Sequence, residues 1–62
     1  MEQKELVNLI VDYRARNNFT IRQMAEMVGI SYVTLCNIET GKHKPQRVIV
    51  RKILNVIESE VI

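Results

Sequence analysis

Sixty-two residues carrying nine lysines and arginines against seven acids, a formal charge of +2, make one small domain spanning residues 1–62. A chain of this size buries only about 60% of the surface its unfolded form exposes, which leaves no room for a separate sensor, oligomerisation or catalytic domain. One cysteine excludes an intrachain disulfide and suits a reducing cytoplasm, and the chain has neither a signal peptide nor an apolar run long enough to span a bilayer.

The first predicted element is a helix over about residues 2–17. Leu6, Ile10 and Tyr13 fall on one stripe at helical spacing, with Leu9 beside it, while Val7 and Val11 lie off the stripe.

Two helical blocks follow, residues 20–28 and 32–39, hinged at Gly29-Ile30-Ser31. Short helices that cross steeply need a small residue at the crossing, a turn residue free to take positive φ, and apolar anchors beneath both helices. Ala25 supplies the first, one turn before the hinge, where a larger side chain would push the second helix away. Gly29 supplies the second, because it has no Cβ to clash. Met24, Val28, Ile30, Leu35 and Ile38 occupy inward positions and supply the third. Thr20 with Gln23 three residues on is a capping-box pattern, Ser31 is a natural N-cap, and Gly41 closes the second block. An ordinary αα-hairpin would account for Gly29-Ile30-Ser31 alone. The joint placement of Ala25, Gly29, Ser31, Leu35, Ile38 and Gly41 favours a helix-turn-helix over about residues 20–39.

A basic loop, residues 41–45, leads to a fourth helix that runs from about Gln46 to near the C-terminus, with Ile49, Ile53, Leu54 and Ile57 as its core stripe. β-Branched residues are numerous here, so packing must override a weak helical preference, and helix still ranks above strand at residues 47–50. Val48, Val50, Val56, Val61 and Ile62 widen the apolar face beyond that of an ordinary surface helix. These residues either close a tight core or form a partner surface. A homodimer is the simplest partner, with Val48, Val56, Val61 and Ile62 as its interface.

Charge is unevenly distributed. Residues 14–52 hold Arg14, Arg16, Arg22, Lys42, Lys44, Arg47, Arg51 and Lys52 against Glu26 and Glu39, a local balance of +6, while residues 1–13 and 53–62 each come to −2. Without a motif this would be a solvated surface. With the helix-turn-helix in the same segment, it fits a phosphate-facing surface.

Residues 20–45 resemble the phage repressor/Cro-type, or XRE-like, helix-turn-helix family: Met24-Ala25-Glu26, Val28-Gly29-Ile30-Ser31, Thr34-Leu35 and Ile38-Glu39-Thr40-Gly41-Lys42, leading to Pro45. Phe19 matches the apolar residue before the cap. Asn17-Asn18 replaces the family's glycine-containing helix stop, a mild change since Asn tolerates the left-handed conformation. Arg14 matches a basic position that in the family pairs with the glutamate found here as Glu39. One position departs: where the family often has a Gln that touches a phosphate and braces the recognition helix, this chain has Ile21. The resemblance implies an all-α, lambda-repressor-like DNA-binding fold of four helices, or five.

In such a fold the second helix of the motif enters the major groove by its N-terminal end. Tyr32, Val33, Cys36 and Asn37 are the outward positions, and the resemblance assigns base reading to Tyr32, Val33 and Asn37. Asn can bond bidentately to adenine and Val can pack on a thymine methyl, which hints at an A·T-containing half-site. Phosphate contacts are expected from Thr20, Arg22, Thr40, Lys42, Lys44 and Arg47. Arg14 and Glu39 are expected to form a structural ion pair between the first and third helices.

Cys36 has no evident activating neighbour and reads as inert, and His43 with one cysteine seven residues away is too little for a metal. No paired carboxylate, Cys–His arrangement or phosphate-cradling glycine loop is present, so an enzyme is not expected, nor any cofactor, membrane or small-molecule ligand. The leading expectation is a transcription regulator, a homodimeric Cro-like repressor on palindromic double-stranded DNA with a phage or mobile-element context. The alternatives are an autoregulating antitoxin or restriction–modification controller, and a protein-interaction module on the same fold.

Overall fold

Each of the two short central helices is capped at both ends by its own sequence. In the computed structural model, which describes residues 2–59, the elements are α1 Gln3–Asn17, α2 Ile21–Val28, α3 Tyr32–Thr40 and α4 Arg47–Glu58. The described residues contain no strand, and residues 47–50 are helical despite their valines.

Local signals set the boundaries. α1 ends at Asn18, whose φ of 57° and ψ of 37° are left-handed, and the Phe19 amide donates back to the Arg14 carbonyl at 2.9 Å. Asn18 is the one described non-glycine residue with positive φ. α2 opens with a complete capping box: the Gln23 amide donates to Thr20 Oγ1 at 3.0 Å, and the Thr20 amide donates to Gln23 Oε1 at 2.9 Å. Ser31 caps α3 by accepting from the Thr34 amide at 3.0 Å. Gly29 and Gly41 close α2 and α3 with φ of 87° and 80°. A Cβ built on either glycine would meet nothing within 4 Å, so handedness and not crowding dictates the residue.

Packing then fixes the arrangement. α2 packs on α3, α1 bridges α3 and α4, and α4 also packs on α2. The core is Leu6, Ile10 and Tyr13 from α1, Met24, Ala25 and Val28 from α2, Leu35 and Ile38 from α3, and Ile53 from α4. Among the described residues no polar or charged residue is fully buried, although individual atoms of Arg14 and Glu39 are. Tyr13 stacks obliquely on Phe19, ring centroids 5.8 Å apart, which seals the end of α1 over α2.

Some details differ from the sequence reading: Ile30, expected inward, is half-buried against the core. Leu9, expected beside the core stripe, is exposed. In α4 only Ile53 is fully buried, while Ile49, Leu54 and Ile57 are half-buried against the core. Val50 and Val56 also pack there, because the inward arc of α4 is wide enough to use them, so Val56 is only partly free for a partner. Val48 remains exposed. Val61 and Ile62 lie outside the described residues.

Gly29→Ala should destabilise by about 1–2 kcal/mol through left-handed strain alone, and Gly29→Asn by less. Thermal melts would show the ranking Gly, Asn, Ala. An alanine variant as stable as the wild type would contradict the stated cause.

Candidate nucleic-acid interface

The hinge geometry leaves one flank of α3 uncovered. Leu35 and Ile38 point into the core, so the opposite flank carries Tyr32, Val33, Cys36 and Asn37. Tyr32 and Val33 are 45% and 61% exposed, a large apolar surface for one flank of a short helix. Asn37 is half-buried, yet its side-chain amide has no hydrogen-bond partner among the described residues, which leaves both its donors and its acceptor free. Cys36 is a half-buried free thiol beside them.

Cations flank this surface at both ends. Arg22 lies over the Tyr32 ring, its Cζ 5.2 Å from the centroid, at the N-terminal end of α3. Lys42 and Lys44 stand exposed in the loop just past the C-terminal end, and Arg47 opens α4. Among the described residues only Arg14 and Arg16 of the eight central cations form ion pairs. The other six are free of carboxylates, so the positive potential around α3 is not cancelled locally.

The hydroxyls at the two helix ends differ. Thr20 Oγ1 accepts the Gln23 amide, which leaves its own proton available to an anion. Thr40 Oγ1 instead donates back to its own helix, to the Cys36 carbonyl at 3.0 Å and the Asn37 carbonyl at 3.3 Å. A phosphate oxygen only accepts, so Thr40 has no proton to offer in this conformation. Ile21 is half-buried and packs against the core, and its hydrocarbon side chain offers no donor to a phosphate.

Arg14 and Glu39 hold the reading helix from behind. Arg14 Nη2 donates to Glu39 Oε1 at 2.9 Å, with side chains 21% and 9% exposed, and Arg14 Nη1 reaches the Phe19 carbonyl at 3.4 Å. Arg14 Nε and Glu39 Oε2 are buried without a partner, so the fork is joined by one prong only. The pair clamps the C-terminal half of α3 to α1. Asp12 and Arg16, 3.2 Å apart, form an ordinary exposed pair one turn apart on α1.

Two contributors were not legible in the sequence. Gln3 Nε2 donates to the His43 carbonyl at 2.9 Å and to the Ile38 carbonyl at 3.4 Å, tying the basic loop to the start of α1. No spacing rule reveals a bond across forty positions. The stacking of Arg22 on Tyr32 is likewise a tertiary contact without a sequence signature.

The helix-turn-helix family model matches residues 10–61. The chain belongs to the helix-turn-helix family, of the XRE type. No curated protein and no solved structure matches it significantly. Family membership makes it a DNA-binding transcription regulator, on a fold that is not typically enzymatic. Among the described residues no group of three His, Cys, Asp or Glu could hold a metal, and no helix is long and apolar enough to cross a membrane.

The two ion pairs should separate sharply. Glu39→Ala leaves Arg14 largely buried without its counter-charge and should cost on the order of 3 kcal/mol. Arg16→Ala should cost less than about 0.5 kcal/mol. Urea unfolding of both variants makes the comparison, and equal losses would count against a buried clamp.

Proposed function

We infer that this protein reads a specific double-stranded DNA sequence with α3 and represses transcription as a Cro-like homodimer. The observation that carries the reading is the free flank of α3, with Tyr32, Val33 and an unpartnered Asn37 amide, set between unpaired cations at both ends. With its side chains a helix is about 10–12 Å across, which a major groove about 12 Å wide admits, and cations beyond both ends of α3 are available to the flanking phosphates.

The roles divide by chemistry. Asn37 offers a donor and an acceptor to adenine, Val33 a methyl surface to thymine, and Tyr32 a ring and a hydroxyl to a base edge. Thr20, Arg22, Lys42, Lys44 and Arg47 position the chain on phosphates without specifying sequence. Thr40 joins them only after its hydroxyl turns away from the carbonyls of its own helix. The loss of the family's phosphate-touching Gln at position 21 shifts that duty to Thr20 and Arg22, its neighbours on either side.

A repressor on a palindromic operator would use two copies, one per half-site: half-sites lie about 34 Å apart, more than the 30 Å longest extent of one copy. On α4 the outward Val48 and the half-buried Val56 are the described residues available to a two-fold contact. Val48 shares its face with Arg51, Lys52 and Asn55, all exposed, so this contact is small and partly polar.

Selection of binding sites from random duplexes, followed by sequencing, tests the reading and its symmetry together. Two inverted half-sites with centres about one helical turn apart are expected; a single unrepeated half-site would rule out the dimer. No binding even at low salt would remove the DNA-reading function itself. On the selected site, Asn37→Ala should cost about 1–3 kcal/mol and relax preference at one base pair. Lys42→Ala should weaken all sequences about equally and lower the salt slope by about one. Identical behaviour of the two variants would refute the division of roles.

A further inference from the structure

Arg22 differs from the other free cations in having an aromatic partner. Its Cζ sits 5.2 Å from the Tyr32 ring centroid, and the two side chains line one cleft with Thr20 and Ile21 at the start of α2. Among the described residues no carboxylate competes for it. A guanidinium over a ring gives its flat face to the π-cloud and keeps its N–H edge for a second acceptor. The ring it covers belongs to the first residue of α3.

The neighbouring residue explains why this arrangement matters. Ile21 occupies the position where the family often has a bracing Gln, and here it is half-buried, packed against the core on one side and lining the cleft on the other. The next residue, about 100° round the helix, is Arg22. An exposed tyrosine in a first helical turn otherwise has more than one rotamer open to it.

We propose that Arg22 is a positioning residue for base reading: stacked on Tyr32, it fixes that ring at the leading end of α3 while its N–H edge holds a backbone phosphate. Phosphate register and the base contact of Tyr32 then become one coupled unit. Preference at that base pair depends on a side chain that does not touch it. The proposal rests on the DNA-reading function inferred above.

The free full-length chain provides the first test. Arg22 side-chain protons should show a ring-current shift in NMR spectra that disappears in Tyr32→Leu and persists in Tyr32→Phe. Absence of the shift in the wild-type chain overturns the proposal without reference to DNA. The second test compares Arg22→Ala, Tyr32→Leu and the double variant on the selected duplex, with circular dichroism melts confirming that each folds. Arg22→Ala should lower the salt slope by about one and flatten preference at the same base pair that Tyr32→Leu flattens. Their effects on affinity should be non-additive by roughly two- to fivefold. Additive effects, with base preference untouched by Arg22→Ala, make Arg22 a plain phosphate contact and overturn the proposal. A chain that shows the ring-current shift yet binds no duplex at low salt overturns the DNA reading instead, which is a separate failure.

Discussion

The crossing of α2 and α3 is the constraint on which everything else depends. Ala25 is buried at that crossing with 1% exposure, and the chain turns between the two helices through the left-handed Gly29. Because the side chain there is a single methyl, α3 can lie close against α2, with Leu35 and Ile38 in the core and Tyr32 and Val33 in solvent. A different crossing would rotate α3 about its axis and exchange the two flanks. The reading surface is thus a by-product of how tightly two short helices approach. The Arg14–Glu39 clamp works on the same geometry from the other side, fixing the far end of α3 to α1.

Much of this arrangement was legible in the sequence because it is locally encoded. The capping box at Thr20, the Ser31 cap and the left-handed residues at positions 18, 29 and 41 are each decided by a few neighbouring residues. Helical spacing marked Leu6, Ile10, Tyr13, Met24, Val28, Leu35 and Ile38 as inward, and all are buried, while Ile30, marked with them, is half-buried against the core. What the sequence left open belongs to the tertiary level. In α4 the valines are divided by the helix between the core and solvent: Val50 and Val56 face inward, Val48 outward. Composition alone counts them all as surplus, and only the width of the surrounding groove decides which are used. The Thr40 hydroxyl is a similar case, since an exposed threonine near a helix end can equally face an anion or its own carbonyls.

An apolar core with no fully buried polar residue among those described has a further bearing on how such a small chain is specified. Hydrophobic packing says little about register, since apolar side chains of similar volume can exchange places. Orientation is instead imposed by polar groups around the margin: the helix caps, the Arg14–Glu39 clamp, and the amide of Gln3 on the loop carbonyls. These contacts fix the outline within which the core fills space.

Both helix-closing glycines stand where a side chain would find open space, yet their backbone turns the way L-residues resist. What these corners select is therefore chirality and not volume. A residue of the opposite hand, such as D-alanine, would adopt the required turn without the strain an L-residue meets, and would narrow the unfolded ensemble besides. The two bends that expose α3 are in that sense mirror-image positions within an otherwise right-handed chain, filled by the one natural residue without handedness.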